Sequence, residues 1–119
     1  MICSWHICHV DMCRFTKPPK SKFVAIVCAN PKLYGFLINS TVCQFVQDRP
    51  ELKECQVIIT ESQYRFLTHT SFVDCSKHFE FEDWELTPKH KILENTKNEI
   101  IKVVSESRLF TPSFKELII

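Results

Sequence analysis

Apolar, β-branched and aromatic residues gather along this chain in short runs, at residues 7–12, 22–29, 34–39, 42–46 and 56–60, with a sixth at 72–75. Pro, Asn, Asp and Lys clusters separate them. Runs of this length and spacing predict a meander of antiparallel strands that closes into a small barrel or strongly curled sheet. Between the second and third runs, Asn30, Pro31 and Lys32 read as a tight hairpin loop, because Pro fixes its own φ and keeps the preceding residue out of the helical region. Those two strands should then pair.

After Leu86 the period changes. Ile100, Val103, Val104 and Ser107 follow i, i+3, i+4 and i+7 spacing, and Thr96 with Glu99 has the spacing of a capping box, so a helix is predicted over 97–107 with its apolar stripe on the sheet. Phe114, Leu117 and Ile118 predict a short closing turn or helix after Pro112. The fold class expected is therefore mainly β (α+β): an antiparallel barrel with a C-terminal helix packed on it.

With 119 residues and 14.0 kDa the chain has the size of one domain, 1–119, around one core. Hydrophobic residues make up 45% and Phe occurs ten times against a single Gly, which favours a packed globule over a disordered tail. The formal net charge is only +1, so no strong overall field attracts nucleic acid. Its distribution says more. Arg14, Lys17, Lys20, Lys22 and Lys32 fall in a stretch without an acid, whereas Glu80, Glu82, Asp83 and Glu85 cluster later. This predicts one cationic and one anionic end, with residues 14–21, stiffened by Pro18 and Pro19, as an exposed basic arm.

Seven cysteines, an odd number, without a signal-peptide pattern point to reduced thiols in a cytoplasm. No apolar run approaches the length that spans a bilayer, so no membrane partner is expected. Cys3, His6, Cys8, His9 and Cys13 are zinc-ligand residue types, but strand alternation places Cys3, His9 and Cys13 on one face and His6 and Cys8 on the other. No metal site is expected there. Cys28, Cys43, Cys55 and Cys75 lie in apolar runs and read as buried small hydrophobes; a cysteine nucleophile served by His69 or His78 has no motif behind it. Gly35 as the only glycine removes the Gly-rich phosphate loops, and no nucleotide cofactor is expected.

The basic arm can neutralise phosphates without reading sequence. Asn39, Ser40 and Thr41 end the third strand, and Thr68, His69, Thr70 and Ser71 precede Asp74, so hydroxyls, an imidazole and a carboxylate can gather near it. Metal-independent RNA cleavage needs a base for the 2′-hydroxyl, an acid for the leaving 5′-oxygen and cations for the phosphate. His69 or Asp74 suits the first two roles, and Arg14 and Lys22 suit the third. Turn chemistry is the competing reading of Asn39 to Thr41 and His69 to Ser71.

The order of elements resembles the PemK/MazF-like toxin family: a first strand over 5–12, a basic loop over 14–21, a long apolar strand over 22–29, a strand ending in hydroxyl residues over 34–41, and the helix over 97–107. Thr70-Ser71-Phe72-Val73-Asp74-Cys75-Ser76 is similar to a Ser-aromatic-Val-Asp segment of divergent members. The resemblance implies an SH3-like barrel, a homodimer, and the toxin half of a toxin–antitoxin pair that cuts single-stranded RNA without a metal while a cognate antitoxin occupies the groove. It assigns Arg14 or Lys22 to the basic position and Ser40 and Thr41 to the hydroxyl positions. With the residue-level reading, the catalytic candidates are Arg14, Lys22, Ser40, Thr41, His69 and Asp74, and the RNA-binding candidates are Lys17, Lys20, Lys32, Asn39 and Ser71. The chain departs from the family in having Ser4-Trp5-His6 where Gly-Asp opens the first strand, and Lys22-Phe23-Val24 where Arg-Pro-Val opens the second. The second reading is a catalytically inactive SH3-like barrel that binds protein or nucleic acid.

Overall fold

The computed structural model describes residues 2–118. Its elements are β1 (His6–Cys13), β2 (Lys20–Cys28), β3 (Leu33–Asn39), α1 (Gln44–Gln47), α2 (Pro50–Lys53), β4 (Gln56–Ile59), β5 (Ser71–Asp74), β6 (Phe79–Phe81), β7 (Thr87–Lys91), α3 (Glu94–Glu106) and α4 (Pro112–Ile118). The class is α+β, mostly β. One antiparallel sheet runs β4-β5-β3-β2-β1-β7, with β6 also pairing with β3. The ladder ends at β4 and β7, which do not pair with each other. The expected closure into a barrel is therefore absent, and the sheet is open.

The meander of β1, β2 and β3 follows the sequence pattern, with the β2–β3 hairpin turning at Asn30–Lys32 as expected. Both faces of these strands are buried, so two apolar clusters form where one core was expected. On one face Ile7, Ala25, Val27, Phe36 and Ile38 meet Ile100 and Val104 of α3 and Phe114 and Ile118 of α4. On the other face Cys8, Val10, Val24, Ile26 and Leu37 meet Phe81 and Leu86, with Phe15 and Phe79 at the margin. Strands buried on both sides read as continuous apolar runs, which is why 22–29 shows little alternation. Gly35 allows the close approach of β3 to β2. A Cβ there would lie 2.9 Å from the Ala25 carbonyl oxygen and 2.9 Å from Ile26 Cδ1.

The run at 42–46 is a loop and helix α1 rather than a strand. A short apolar run has no periodicity that separates the two states. Here Phe45 is solvent-facing, covered by the Arg49 guanidinium at 3.6 Å from its ring centroid. Cys43 precedes the helix and is exposed, contrary to expectation, while Cys28, Cys55 and Cys75 are buried. Burial pushes the Cys55 thiol up, and pushes Cys75 well above its ordinary range.

The register of β1 against β2 shifts between Val10 and Cys13. That irregularity turns Cys13 to the face of Cys8, whereas simple alternation grouped it with Cys3 and His9. Burial, reinforced by Asp83, pushes the Cys8 thiol up to about 11. Both thiols act as core residues.

Helix α3 starts at Glu94, before the predicted Lys97, so Thr96 lies inside it and is no cap. Tyr64 takes the capping role from a distance. Its hydroxyl accepts the Leu93 amide at 2.9 Å and donates to Thr96 Oγ1 at 2.8 Å, which satisfies a free amide at the helix start and a buried hydroxyl together.

The loop over 14–19 is not a free arm. Phe15 packs on Phe79 and Phe81, with centroids 4.6 and 5.4 Å apart. Thr16 Oγ1 accepts the Lys20 amide at 3.1 Å and closes the turn. Nor do the charges separate into two ends, because Arg14 binds Glu85 and Lys32 faces Glu80. No helix among the described residues is long and apolar enough to cross a membrane.

Candidate nucleic-acid interface

Two adjoining cavities open where β2 begins and β3 ends. The first, about 290 Å³, is lined by His9, Lys20, Lys22, Phe23, Phe66 and His69, with Ser21, Ile38, Ser40, Leu67, Thr68 and Ser71 completing it. The second, about 260 Å³, takes in Asn39, Thr41, Gln56 and Asp74 beside α1. Lys20, Lys22 and Ser40 line both, so the pair forms one groove with a basic saddle.

The sequence builds this saddle simply. Alternation along β2 gives Lys20 and Lys22 to the same side of the strand, and antiparallel pairing brings His9 opposite Phe23 and Ile38 opposite Phe23 from the other neighbour. The amino group of Lys22 donates to Asn39 Oδ1. Partial burial lowers the Lys22 pKa, and the neighbouring Lys20 charge lowers it further. Among the described residues, neither lysine has a carboxylate within ion-pair distance. A bound anion would relieve both the desolvation and the mutual repulsion.

Aromatic rings form one wall. His9 meets Phe23 edge-on at 5.2 Å and Phe23 meets Phe66 at 4.8 Å. His9, which lines this cavity, has Nδ1 3.2 Å from Asp11 Oδ1, and Nε2 has no hydrogen-bond partner among the described residues. Across the cavity, His69 is exposed, with Nδ1 3.0 Å from the Thr68 hydroxyl. Ser71 is buried and donates to the His69 carbonyl at 3.1 Å, fixing the turn that presents the imidazole.

Of the residues expected at a site, the groove brings together Lys20, Lys22, Asn39, Ser40, Thr41, His69, Ser71 and Asp74. It does not bring His69 and Asp74 into one cavity. His69 precedes β5 and Asp74 ends it, and the span from Ser71 to Asp74 alone is about 10 Å at strand rise, so a single phosphate cannot lie between them. Asp74 Oδ1 instead accepts Gln56 Nε2 at 2.8 Å, the Ser76 amide at 3.2 Å and the Ser76 hydroxyl.

Arg14, Lys17 and Lys32 line neither cavity. The Arg14 guanidinium grips both Glu85 oxygens, at 2.9 and 2.8 Å, and the Glu80 carbonyl at 3.0 Å. Lys17 stays on the exposed turn. Lys32, 3.5 Å from Glu80, lies in the β2–β3 turn beyond Cys28, and Cys28 is itself about 20 Å along the strand from Lys22. Sequence reasoning missed His9 and Phe66. His9 was read only as a metal-ligand type, yet its position opposite Phe23 across the β1–β2 pairing carried the signal. Among the described residues no three His, Cys, Asp or Glu side chains come together in a metal-binding group.

No protein-family model matches the chain, and no curated protein matches it. What fold and groove define is a class: an open α+β sheet that carries a cationic, aromatic-walled cleft where β2 begins and β3 ends.

Proposed function

We propose that the groove binds single-stranded RNA and cleaves it without a metal, as the toxin component of a toxin–antitoxin pair acting in the cytoplasm as a homodimer. The observation that carries this is the pairing, in one cavity, of two lysines lacking acidic partners with two histidines and two stacking rings. Unpaired bases stack on aromatic side chains, and phosphates take the cations between them. His9 and His69 share the acid–base work. The 2′-oxygen loses its proton to one imidazole and attacks phosphorus. The bond to the 5′-oxygen breaks, and the other imidazole protonates that oxygen, leaving a 2′,3′-cyclic phosphate and a 5′-hydroxyl. Lys20 and Lys22 stabilise the charge that builds on the non-bridging oxygens, Lys20 from the exposed rim and Lys22 from a half-buried position where its charge is worth more than in water.

The sheet is in this reading an opened variant of the SH3-like barrel, its β1–β2–β3 meander retained. Phe45, 59% exposed, and Trp84, 83% exposed, offer apolar contacts for an antitoxin or a second copy of the chain. They also favour the second reading, a silent module whose task is partner binding.

The deciding experiment incubates purified protein with unstructured RNA in EDTA and examines the product ends. Cyclic phosphates that disappear in His69→Ala support the nuclease. Intact RNA after incubation with antitoxin-free protein removes it and leaves the binding module.

A further inference from the structure

The second cavity has a chemistry of its own. Every hydrogen bond that Asp74 makes within the chain falls on Oδ1, which Gln56 and Ser76 occupy. Oδ2 has no partner among the described residues, although the carboxylate is half-buried and lines the cavity. Nearby, Asn39 spends its Oδ1 on Lys22 and keeps its amide donors, and Gln56 spends Nε2 on Asp74. The cavity thus presents a fixed acceptor with an amide donor close by, next to the saddle that would hold a phosphate.

Phosphate contacts alone do not need such a set, and a carboxylate beside them works against affinity. A carboxylate does suit a base edge that offers an exocyclic amino group, and Asp accepting from the cytosine N4 amino group is the simplest such pair. We infer that the Asn39–Gln56–Asp74 cavity reads one base of the bound strand and selects cytosine over uracil. The inference rests on the RNA-binding reading of the neighbouring saddle. It reassigns Asp74 from proton transfer to base selection. Cytosine donates N4–H to Asp74 Oδ2 and accepts at N3 from the Asn39 amide. Uracil turns a carbonyl oxygen toward the carboxylate, two acceptors facing each other, and is rejected.

The test uses the full chain and 2′-O-methyl hexanucleotides of cytidine and of uridine, which cannot be cleaved through the 2′-hydroxyl, with affinities from fluorescence anisotropy at fixed salt. The expected result is about tenfold tighter binding of the cytidine strand. Asp74→Asn is the informative variant. Its retained oxygen still accepts from Gln56 and Ser76, while its new amide donor faces the cavity, so the preference should fall to unity or reverse toward uridine. Circular dichroism confirms that the variant is folded.

Equal affinities for the two strands, with binding still weakened by salt, overturn the base-reading inference and leave RNA binding standing. A cytidine preference that survives Asp74→Asn overturns it equally. Failure to bind either strand at low salt removes the RNA reading and this inference with it.

Discussion

Arg14 and Lys22 stand at opposite ends of the same basic stretch, eight positions apart, and the fold treats them in contrary ways. Arg14 meets an acidic segment that arrives from far along the chain: its Nη1 donates to both oxygens of Glu85, whose side chain is 7% exposed, and its Nη2 donates to the Glu80 carbonyl. Lys22 meets an amide and another lysine, and burial with the Lys20 charge outweighs the more distant pull of Asp74, so its pKa is lowered. One cation is therefore structural glue, and the other has no carboxylate within ion-pair distance among the described residues. A count of positive residues cannot tell them apart. What separates them is the partner that tertiary structure delivers.

The largest expected effect lies at the lysine side of this contrast. His69→Ala and His9→Ala should each lower RNA cleavage by about 10²- to 10⁴-fold, the usual share of one acid–base group, while Arg14→Ala leaves single-turnover cleavage per folded molecule unchanged. Gel assays at matched folded concentrations check both. An Arg14→Ala enzyme that loses cleavage as His69→Ala does would break the comparison.

Stability should show the reverse ranking. Arg14→Ala strands the buried Glu85 carboxylate and should cost about 1–3 kcal/mol in urea unfolding. Lys22→Met removes a desolvated charge and should be neutral or stabilising. A smaller effect is expected on RNA affinity, where Lys22→Ala should weaken binding uniformly across sequences and reduce the slope of log K against log salt by about one. Arg14→Ala should leave that slope as it is.

The smallest effect concerns His78, whose titration is shifted by burial alone. It stacks on Phe114 at 4.0 Å and meets Phe110 at 5.8 Å, and burial lowers its pKa below the ordinary imidazole range. Between the lowered folded value and the unfolded one, the unfolded chain binds more protons, so stability falls as pH drops below about 6.5 and the loss is complete below the folded value. Melting curves from pH 7.5 to 5 should show the decline, and His78→Gln should flatten it.

The pattern of apolar runs foretold β1 to β5, α3 and α4 because each buries a continuous or periodic face. It did not foretell β7, whose Thr-Pro-Lys-His-Lys sequence is nearly all exposed, since an edge strand owes its state to β1 rather than to its own side chains. Nor did it foretell β6, three residues inside an acidic run, which exists because it pairs with β3 and roofs the second apolar face. In the groove, Lys22, Ser40 and His69 were legible as residue types. Their grouping was not, because it depends on β5 pairing with β3 across more than thirty positions of chain. The Asp74 environment was equally hidden, since Gln56 reaches it only through the β4–β5 register.

The hydroxyl of Tyr64 has a reach beyond the helix it caps. Two positions on, Phe66 forms the wall of the cleft, and Tyr64 and Phe66 rings lie 6.0 Å apart. The same oxygen that starts α3 therefore acts as a rivet between the rear of the molecule and the surface offered to a ligand. Tyr64→Phe would keep the shape of the core while unfastening that joint. Mutations along α3 that disturb Tyr64 can in this way shift the wall of the cleft, so the C-terminal third of the chain supports that surface from behind the strands that display it.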